Sequence, residues 1–256
     1  MKKVCIITAA RSEYGLLRWT IDSVQQNPNL ELQLVVTGAH LMAEHGYTYK
    51  YIEEDGYPIS AKMDMGLSSD SKEAIVESMG RCSMGFAKTF AELQPDLAVV
   101  LGDRYELLPI CSAALVMNIP IAHISGGDVT IGAIDNEVRN AVTMMSVLHF
   151  PGVEKSAQNI IRMRNSDANV WTVGEPGLDN FRRSVLMTRQ ELAENIGIPM
   201  SNKWILVTLH PETNESLEYN LQMAKNIIAL TDSMTDASIV ISKANAEITA
   251  ELNQSA

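Results

Sequence analysis

Polar clusters follow directly after short apolar runs in this chain, and these positions suit chemistry better than the runs themselves. Arg11 comes after the run Lys3–Thr8, and Asp103 comes after the run Asp96–Leu101. In open parallel sheets, ligands bind beyond the carboxyl ends of the strands. If the runs are parallel strands, the clusters therefore mark a candidate ligand site.

The first cluster, residues 8–15, follows the first apolar run and lacks the GxGxxG pattern of a dinucleotide site. This absence argues against an enzyme that uses NAD or FAD. The sequence instead predicts Arg11 at a helix N-terminus, where the helix dipole and the guanidinium both attract phosphate. The alternative is that Arg11 and Glu13 are solvated charges at the start of that helix.

The second cluster contains Asp103, Arg104 and Glu106, and it follows the apolar run Leu97–Leu101 without a spacer. Charged residues in this position are not expected in a core. Asp103 is predicted to contact a ligand or to cap the next helix, and the two roles are compatible.

The third cluster spans two adjacent glycines, 126–127, and the acids Asp128 and Asp135. Adjacent glycines after a strand let the backbone approach a ligand closely. Arg139 follows Asp135 by four residues, which places both on one face of a helix. The alternative is a turn with a helix N-cap at Asp135 and an ion pair to Arg139. That alternative explains the pair but not the whole loop.

Two histidines lie where a ligand could reach them. His210 follows the first predicted strand of the later part of the chain, where a second domain would face the first across a cleft. His40 occupies the equivalent end of the second strand. We place both among the substrate-binding candidates, whereas His45 and His149 are predicted to be structural.

Short apolar runs alternate with helical patterns along the chain. The predicted strands are Lys3–Thr8, Glu31–Thr37, Asp96–Leu101, Pro120–Ile124, Val147–Phe150 and Val170–Val173. Most are almost continuously apolar, which is typical of strands covered on both faces. The clearest helical pattern runs from Ser71 to Leu93. Asp70 with Glu73 predicts its capping-box start, and Pro95 predicts its stop. This alternation indicates an α/β fold with a doubly wound parallel sheet.

The stretch Gly174-Glu175-Pro176-Gly177 predicts a domain boundary, with a first domain at 1–174 and a second at 175–256. The pattern then restarts with a strand, a helix and a strand: Trp204–Leu209, Ser216–Leu230 and Ala237–Ser242. One more helix is predicted after them. Two or three strands do not complete a doubly wound sheet. We therefore expect a second Rossmann-like domain that is truncated or completed from outside this sequence.

Composition excludes several classes of function. The net charge of −11 disfavours nucleic-acid binding, which needs a basic surface. No apolar run approaches the roughly 20 residues of a membrane span, and the start of the chain resembles a strand rather than a signal peptide. Cys5, Cys82 and Cys111 are odd in number and widely spaced, which favours reduced thiols in the cytoplasm. No group of residues has metal-ligand spacing, and we expect no metal and no cofactor.

The clusters together resemble the UDP-N-acetylglucosamine 2-epimerase family, particularly its hydrolysing, sialic-acid-pathway branch. The matching stretches, in the family's order, are Arg11-Ser12-Glu13-Tyr14, Thr37-Gly38-Ala39-His40-Leu41, Gly102-Asp103-Arg104, His123-Ile124-Ser125-Gly126-Gly127-Asp128, Ile134-Asp135-Asn136-Glu137-Val138-Arg139 and Leu209-His210-Pro211. They span nearly the whole chain. The resemblance implies the GT-B architecture, which has two Rossmann-like domains around a cleft. It also implies a UDP-sugar substrate, and we expect a homo-oligomer.

The resemblance also implies roles for particular residues. Asp103 and Asp135 match acids implicated in catalysis, and we expect Asp128 to assist them. The residues that match contacts to the diphosphate or the sugar are Arg11, Arg104, Arg139 and His210. Ser125 is a departure, because many members carry Glu there in a His-x-Glu-Gly-Gly stretch. Asp128 is a candidate replacement for that carboxylate.

The implied reaction explains why such residues are needed. The hydrogen on sugar C2 becomes acidic only when the C1–O bond to UDP stretches and C1 gains oxocarbenium character. Arg11, Arg139 and His210 are suitable donors to the departing diphosphate. Asp103 and Asp135 are predicted to move the protons at C2, in roles the sequence does not assign. Water then adds at C1 and gives N-acetylmannosamine and UDP.

Other functions remain open from the sequence. The same chemistry on UDP-2,4-diacetamido-2,4,6-trideoxyglucose is one, and a non-hydrolysing epimerase is another. A fragment that binds without turnover is a third, because the family's uridine-binding half has no counterpart here. A glycosyltransferase is a further alternative, since a fold does not determine a function.

Overall fold

The computed structural model describes residues 1–69, 71–200, 203–209, 212 and 215–242. The chain forms two compact units, Met1–Ser184 and Val185–Ala256. The domain boundary predicted at Gly174 stays a prediction. Within the described residues, no helix is both long enough and apolar enough to span a bilayer.

The first unit contains a sheet of six parallel strands. These strands are β1 (Lys2–Thr8), β2 (Leu30–Thr37), β3 (Ile59–Met63), β4 (Leu97–Leu101), β5 (Ile121–Ile124) and β6 (Leu148–Phe150). Their order across the sheet is β3-β2-β1-β4-β5-β6. This is the order of a doubly wound sheet, whose ligands bind where the order reverses. The predicted α/β fold class is confirmed.

Helices connect these strands. They are α1 (Arg11–Gln26), α2 (Tyr49–Glu54), α3 (Lys72–Leu93), α4 (Leu107–Val116), α5 (Asp135–Met145), α6 (Glu154–Arg164) and α7 (Asp179–Arg183). Short 3-10 turns lie at Gly38–Leu41, Ala43–His45 and Pro176–Leu178. Helix α3 begins after Ser71, whose hydroxyl accepts a hydrogen bond from the backbone N–H of Ala74. Asp70, the predicted cap, lies outside the described residues.

Two apolar clusters cover the two faces of the sheet. Side chains alternate between the faces of a strand, so Cys5 and Ile7 of β1 enter one cluster while Val4 and Ile6 enter the other. Helices α3 and α4 contribute to the first cluster and α1 to the second. The three cysteines are buried, and burial raises the pKa of each thiol to about 12.

Two strand predictions differ from the structure. The sequence did not predict β3, because this edge strand alternates exposed and half-buried residues instead of forming an apolar run. The strand predicted at Val170–Val173 was wrong, since that segment makes one isolated parallel bridge, between His149 and Val170. It nevertheless follows the edge of β6.

The second unit is a βαβ arrangement preceded by a helix. Its elements are α8 (Arg189–Ile196), β7 (Lys203–Thr208), α9 (Leu217–Asp232) and β8 (Ala237–Ser242). The strands β7 and β8 are parallel, and Leu206 remains 71% exposed. His210 and the helix predicted after β8 lie outside the described residues. The expectation that this domain is truncated stays a prediction.

We expect Phe86→Ala to destabilise the first unit, because Phe86 lies fully buried on the core-facing side of α3 and packs 5.3 Å from Phe90, centroid to centroid. Removing a buried aromatic ring costs about 3–5 kcal/mol. Met84→Ala is the control, since Met84 lies on the same helix but is exposed. Urea unfolding followed by circular dichroism measures both. Equal midpoints for the two variants would contradict the packing described here.

Candidate active site at the carboxyl ends of the strands

Arg139, on α5, joins two of the predicted clusters. Its guanidinium forms an ion pair with Asp103 through one terminal nitrogen. The other terminal nitrogen donates to the backbone oxygen of Asp128 and to the hydroxyl of Thr130, both at 3.0 Å. Arg139 is only 6% exposed, and a buried charge without partners is costly. The guanidinium therefore fixes the loop after β5 against the end of β4.

The alternative interpretation of the third cluster, an ion pair between Asp135 and Arg139, was wrong. Arg139 pairs with Asp103 instead. Asp135 is the first residue of α5, and Ile134 occupies the N-cap position predicted for it. Asp135 still lies one turn from Arg139 on the same helix face. The structure therefore brings Asp103, Asp128 and Arg139 together, with Asp135 beside them.

The second of the two glycines after β5, Gly127, packs against α6. A Cβ on Gly127 would lie 2.2 Å from the backbone oxygen of Ser156, and Gly127 has a φ of +82°, so only glycine fits there. The hydroxyl of Ser156 donates to the carboxylate of Asp128. The amide of Asn159 donates to the backbone oxygen of Gly127 at 2.8 Å. Helix α6 thus sets the position of Asp128.

The buried ring of His123 supports this loop through two hydrogen bonds. Its Nε2 lies 2.8 Å from the backbone oxygen of Gly102 and its Nδ1 lies 3.1 Å from the hydroxyl of Thr143. Because a carbonyl oxygen only accepts, Nε2 carries the hydrogen and Nδ1 accepts from Thr143. Burial lowers the pKa of His123 to about 4, so the ring is neutral near pH 7. His123 therefore ties β5 to the residue before Asp103.

A second polar group lies at the ends of β1 and β4. Arg104 donates to Glu106 at 2.8 Å, and Glu106 is 1% exposed. Glu13 accepts hydrogen bonds from the backbone N–H groups of Ala9 and Ala10 at 2.6 and 3.1 Å. Burial raises the pKa of Glu13 to about 7, opposed by the nearby charge of Arg104.

Sequence reasoning missed Glu13 and Glu106 as site residues. Glu13 is buried, so the alternative in which it is a solvated charge was wrong. Its position three residues after the N-cap Ala10, on the buried face of α1, was the available signal. Arg11 is exposed at the start of α1, the place predicted for it.

His40 lies beneath the strand ends and is completely buried. Its Nε2 lies 3.0 Å from the hydroxyl of Thr8, and its Nδ1 lies 2.8 Å from the hydroxyl of Thr48. Burial lowers its pKa to about 4. Direct contact with a substrate, predicted from the sequence, would require His40 to leave this position. In the structure His40 instead links Thr8, at the end of β1, to Thr48. The other histidine candidate, His210, lies outside the described residues.

Comparison with known proteins identifies the family. The family model described as UDP-N-acetylglucosamine 2-epimerase matches residues 22–255. The chain belongs to the UDP-N-acetylglucosamine 2-epimerase family. The resemblance drawn from the sequence is thereby confirmed.

Two named relatives show how far the likeness extends. The "GDP/UDP-N,N'-diacetylbacillosamine 2-epimerase (hydrolyzing)" of Campylobacter jejuni is 33% identical over 96% of this chain and 64% of its own length. The "Polysialic acid biosynthesis protein P7" of Escherichia coli is 32% identical over 90% of this chain and 59% of its own length. The chain thus spans about three fifths of these family members. Because the Campylobacter jejuni relative is named as hydrolysing, the comparison is consistent with the hydrolysing branch expected from the sequence.

A solved structure shows the fold. The UDP-GlcNAc 2-epimerase of Neisseria meningitidis, bound to UDP-GlcNAc, matches with a TM-score of 0.79 and 18% identity. The match covers 99% of this chain and 69% of that one. The GT-B-like fold class predicted from the sequence is confirmed.

We expect the stability of the protein to depend on the ionisation of Glu13. Its pKa rises from 4.5 to about 7 on folding, so the folded state binds the proton more tightly and stability falls as pH rises through that window. Glu13→Gln cannot ionise, yet its oxygen still accepts from the backbone. Its melting temperature relative to wild type should therefore increase from about pH 5 to about pH 8.

Glu54→Gln is the matched control, because Glu54 is an exposed residue of α2. Differential scanning calorimetry at several pH values measures both variants. If the Glu13→Gln and Glu54→Gln variants change in parallel, Glu13 does not carry the raised pKa.

Proposed function

We propose that this chain is a hydrolysing UDP-N-acetylglucosamine 2-epimerase of nonulosonic acid biosynthesis. It would convert UDP-GlcNAc and water into N-acetylmannosamine and UDP. The observation that carries the proposal is the buried Arg139, which holds Asp103 and the Asp128 loop together at the sheet edge. Family membership over residues 22–255 supports it.

The departing diphosphate needs positive charge. Arg11 suits this role, because it is exposed at the N-terminus of α1, a helix of 16 residues whose dipole also favours an anion. Arg104 lies near Glu13 at the ends of β1 and β4 and is a second candidate. Arg139 is already bonded to acceptors of the protein, so we propose that it orients carboxylates as well as attracting phosphate. His210 remains a proposed contact.

Removal of one proton from C2 and delivery of another require carboxyl groups in different environments. The guanidinium of Arg139 stabilises the ionised form of Asp103, which suits a base. Asp135 and Asp128 are the other proposed participants. Carboxylates in contrasting environments take contrasting roles. Elimination of UDP followed by addition of water at C1 then gives the product.

A second substrate is favoured by one observation. The Campylobacter jejuni relative, at 33% identity, is named for diacetylbacillosamine, a 2,4-diacetamido sugar. The same residues would perform the same chemistry on that UDP-sugar, because C1 and C2 are alike in both substrates. The ratio of kcat/KM for the two UDP-sugars decides between them. Assembly as a homo-oligomer is a further proposal, which sedimentation velocity tests.

The proposed reaction predicts that solvent deuterium is incorporated at C2 of the product. Incubated with UDP-GlcNAc in D2O, the protein should release UDP and form N-acetylmannosamine with deuterium at C2, because the proton taken at C2 exchanges with solvent. Mass spectrometry and NMR measure both products. UDP release without deuterium at C2 would exclude epimerisation. Stable UDP-N-acetylmannosamine would indicate the non-hydrolysing reaction, and UDP binding without turnover would indicate a binding fragment.

We expect Arg139→Lys to lower kcat/KM by at least about 100-fold, the usual cost of losing one positioned donor. Lysine lacks the planar fork that reaches Asp103 and the Asp128 loop at once. Arg182→Lys is the control, since Arg182 is exposed on α7. Initial rates of UDP release measure both. Equal rates for the two variants would remove Arg139 from the site.

A further inference from the structure

Glu175 brings an additional carboxylate to the candidate site. The hydroxyl of Ser125, directly after β5, donates to Oε2 of Glu175 at 3.2 Å. The other oxygen, Oε1, lies against Gly152, where an added Cβ would be only 1.5 Å away. The carboxylate therefore occupies a niche between the ends of β5 and β6, and the glycine at position 152 makes room for it.

The backbone before Glu175 explains how it reaches this edge. The segment follows β6 in the same direction, with the N–H of Trp171 donating to the oxygen of His149 and the N–H of Val173 to the oxygen of Pro151, both at 3.0 Å. A parallel course ends at the carboxyl edge of the sheet. Glu175 thus arrives on the side where Asp103 and Asp128 lie.

The backbone after Glu175 is anchored as well. Asn180, on α7, accepts a hydrogen bond from the indole of Trp19 at 2.9 Å and donates to the backbone oxygen of Gly15 at 3.0 Å. Both partners belong to α1. Glu175 is therefore held between two attachment points, which is what a functional side chain requires.

The environment of Glu175 differs from that of Asp103. Strand β5 pairs with β4, and neighbouring strands lie about 4.8 Å apart, so Asp103 and Ser125, the partner of Glu175, follow adjacent strand ends. Asp103 is paired with a guanidinium, which favours its ionised form. Glu175 is exposed and bonded to a neutral hydroxyl. Because Glu175 is exposed, solvent water reaches its carboxylate directly.

We propose that Glu175, positioned by Ser125, is the acid that delivers the proton to C2 of the sugar, an inference that rests on the proposed function. In the first step a base takes the C2 proton, the C1–O bond breaks, and UDP leaves with that electron pair while a C1=C2 double bond forms. In the second step Glu175 gives its proton to C2 from the opposite face, and water adds at C1 and loses a proton. Solvent then reprotonates Glu175.

Two variants test this role. Glu175→Gln removes the proton but keeps the shape. Gly152→Ala keeps the acid but displaces it, since the added Cβ meets only the end of a flexible side chain. Gly80→Ala is the control, because a Cβ there meets no atom of the described residues within 4 Å. Loss of a general acid costs about 100-fold to 10,000-fold in rate.

We expect both site variants to lose N-acetylmannosamine formation by at least about 100-fold with a KM close to that of wild type. UDP and the unsaturated sugar should still be released, and NMR detects that sugar. Product formation equal to that of the Gly80→Ala variant would overturn the proposal, and so would an equal loss of UDP release and of product. A wild-type protein that releases no UDP would contradict the proposed function instead.

Discussion

The buried guanidinium of Arg139 is the constraint on which the candidate site depends. A charge at 6% exposure is tolerated only when carboxylate, carbonyl and hydroxyl oxygens surround it. Those oxygens come from Asp103 after β4 and from the Asp128 loop after β5. Satisfying one side chain therefore fixes two strand-end segments relative to each other. The same ion pair decides that Asp103 carries a negative charge where the proposed chemistry needs one.

Two buried, neutral histidines join the segments that carry the candidate site. His40 and His123 are both fully buried and both bonded through their two ring nitrogens. Burial keeps them uncharged near neutral pH, so they support the strand ends without adding charge. The positive charge of the edge is left to arginines, which stay protonated at every physiological pH.

The carboxyl groups at this edge have contrasting surroundings. Asp103 faces a guanidinium, Glu175 faces a hydroxyl, and Glu13 is buried on backbone N–H groups. Environment rather than residue type separates acids from bases in enzymes. A reaction that removes a proton from one face of a carbon and returns one to the other needs such a separation. The proposed division between Asp103 and Glu175 follows from it.

The sequence by itself determined the alternation of strands and helices, the parallel sheet and the order of the motifs, because apolar periodicity is a local property of the chain. It also placed Asp103 and Asp128 after strand ends, and Arg139 on the helix that follows the Asp128 loop. Tertiary structure alone decided that Arg139 pairs with Asp103 rather than with Asp135, that His40 is buried, and that Glu175 reaches Ser125. These contacts join residues far apart in sequence. Packing selects such partners, and no local spacing encodes them.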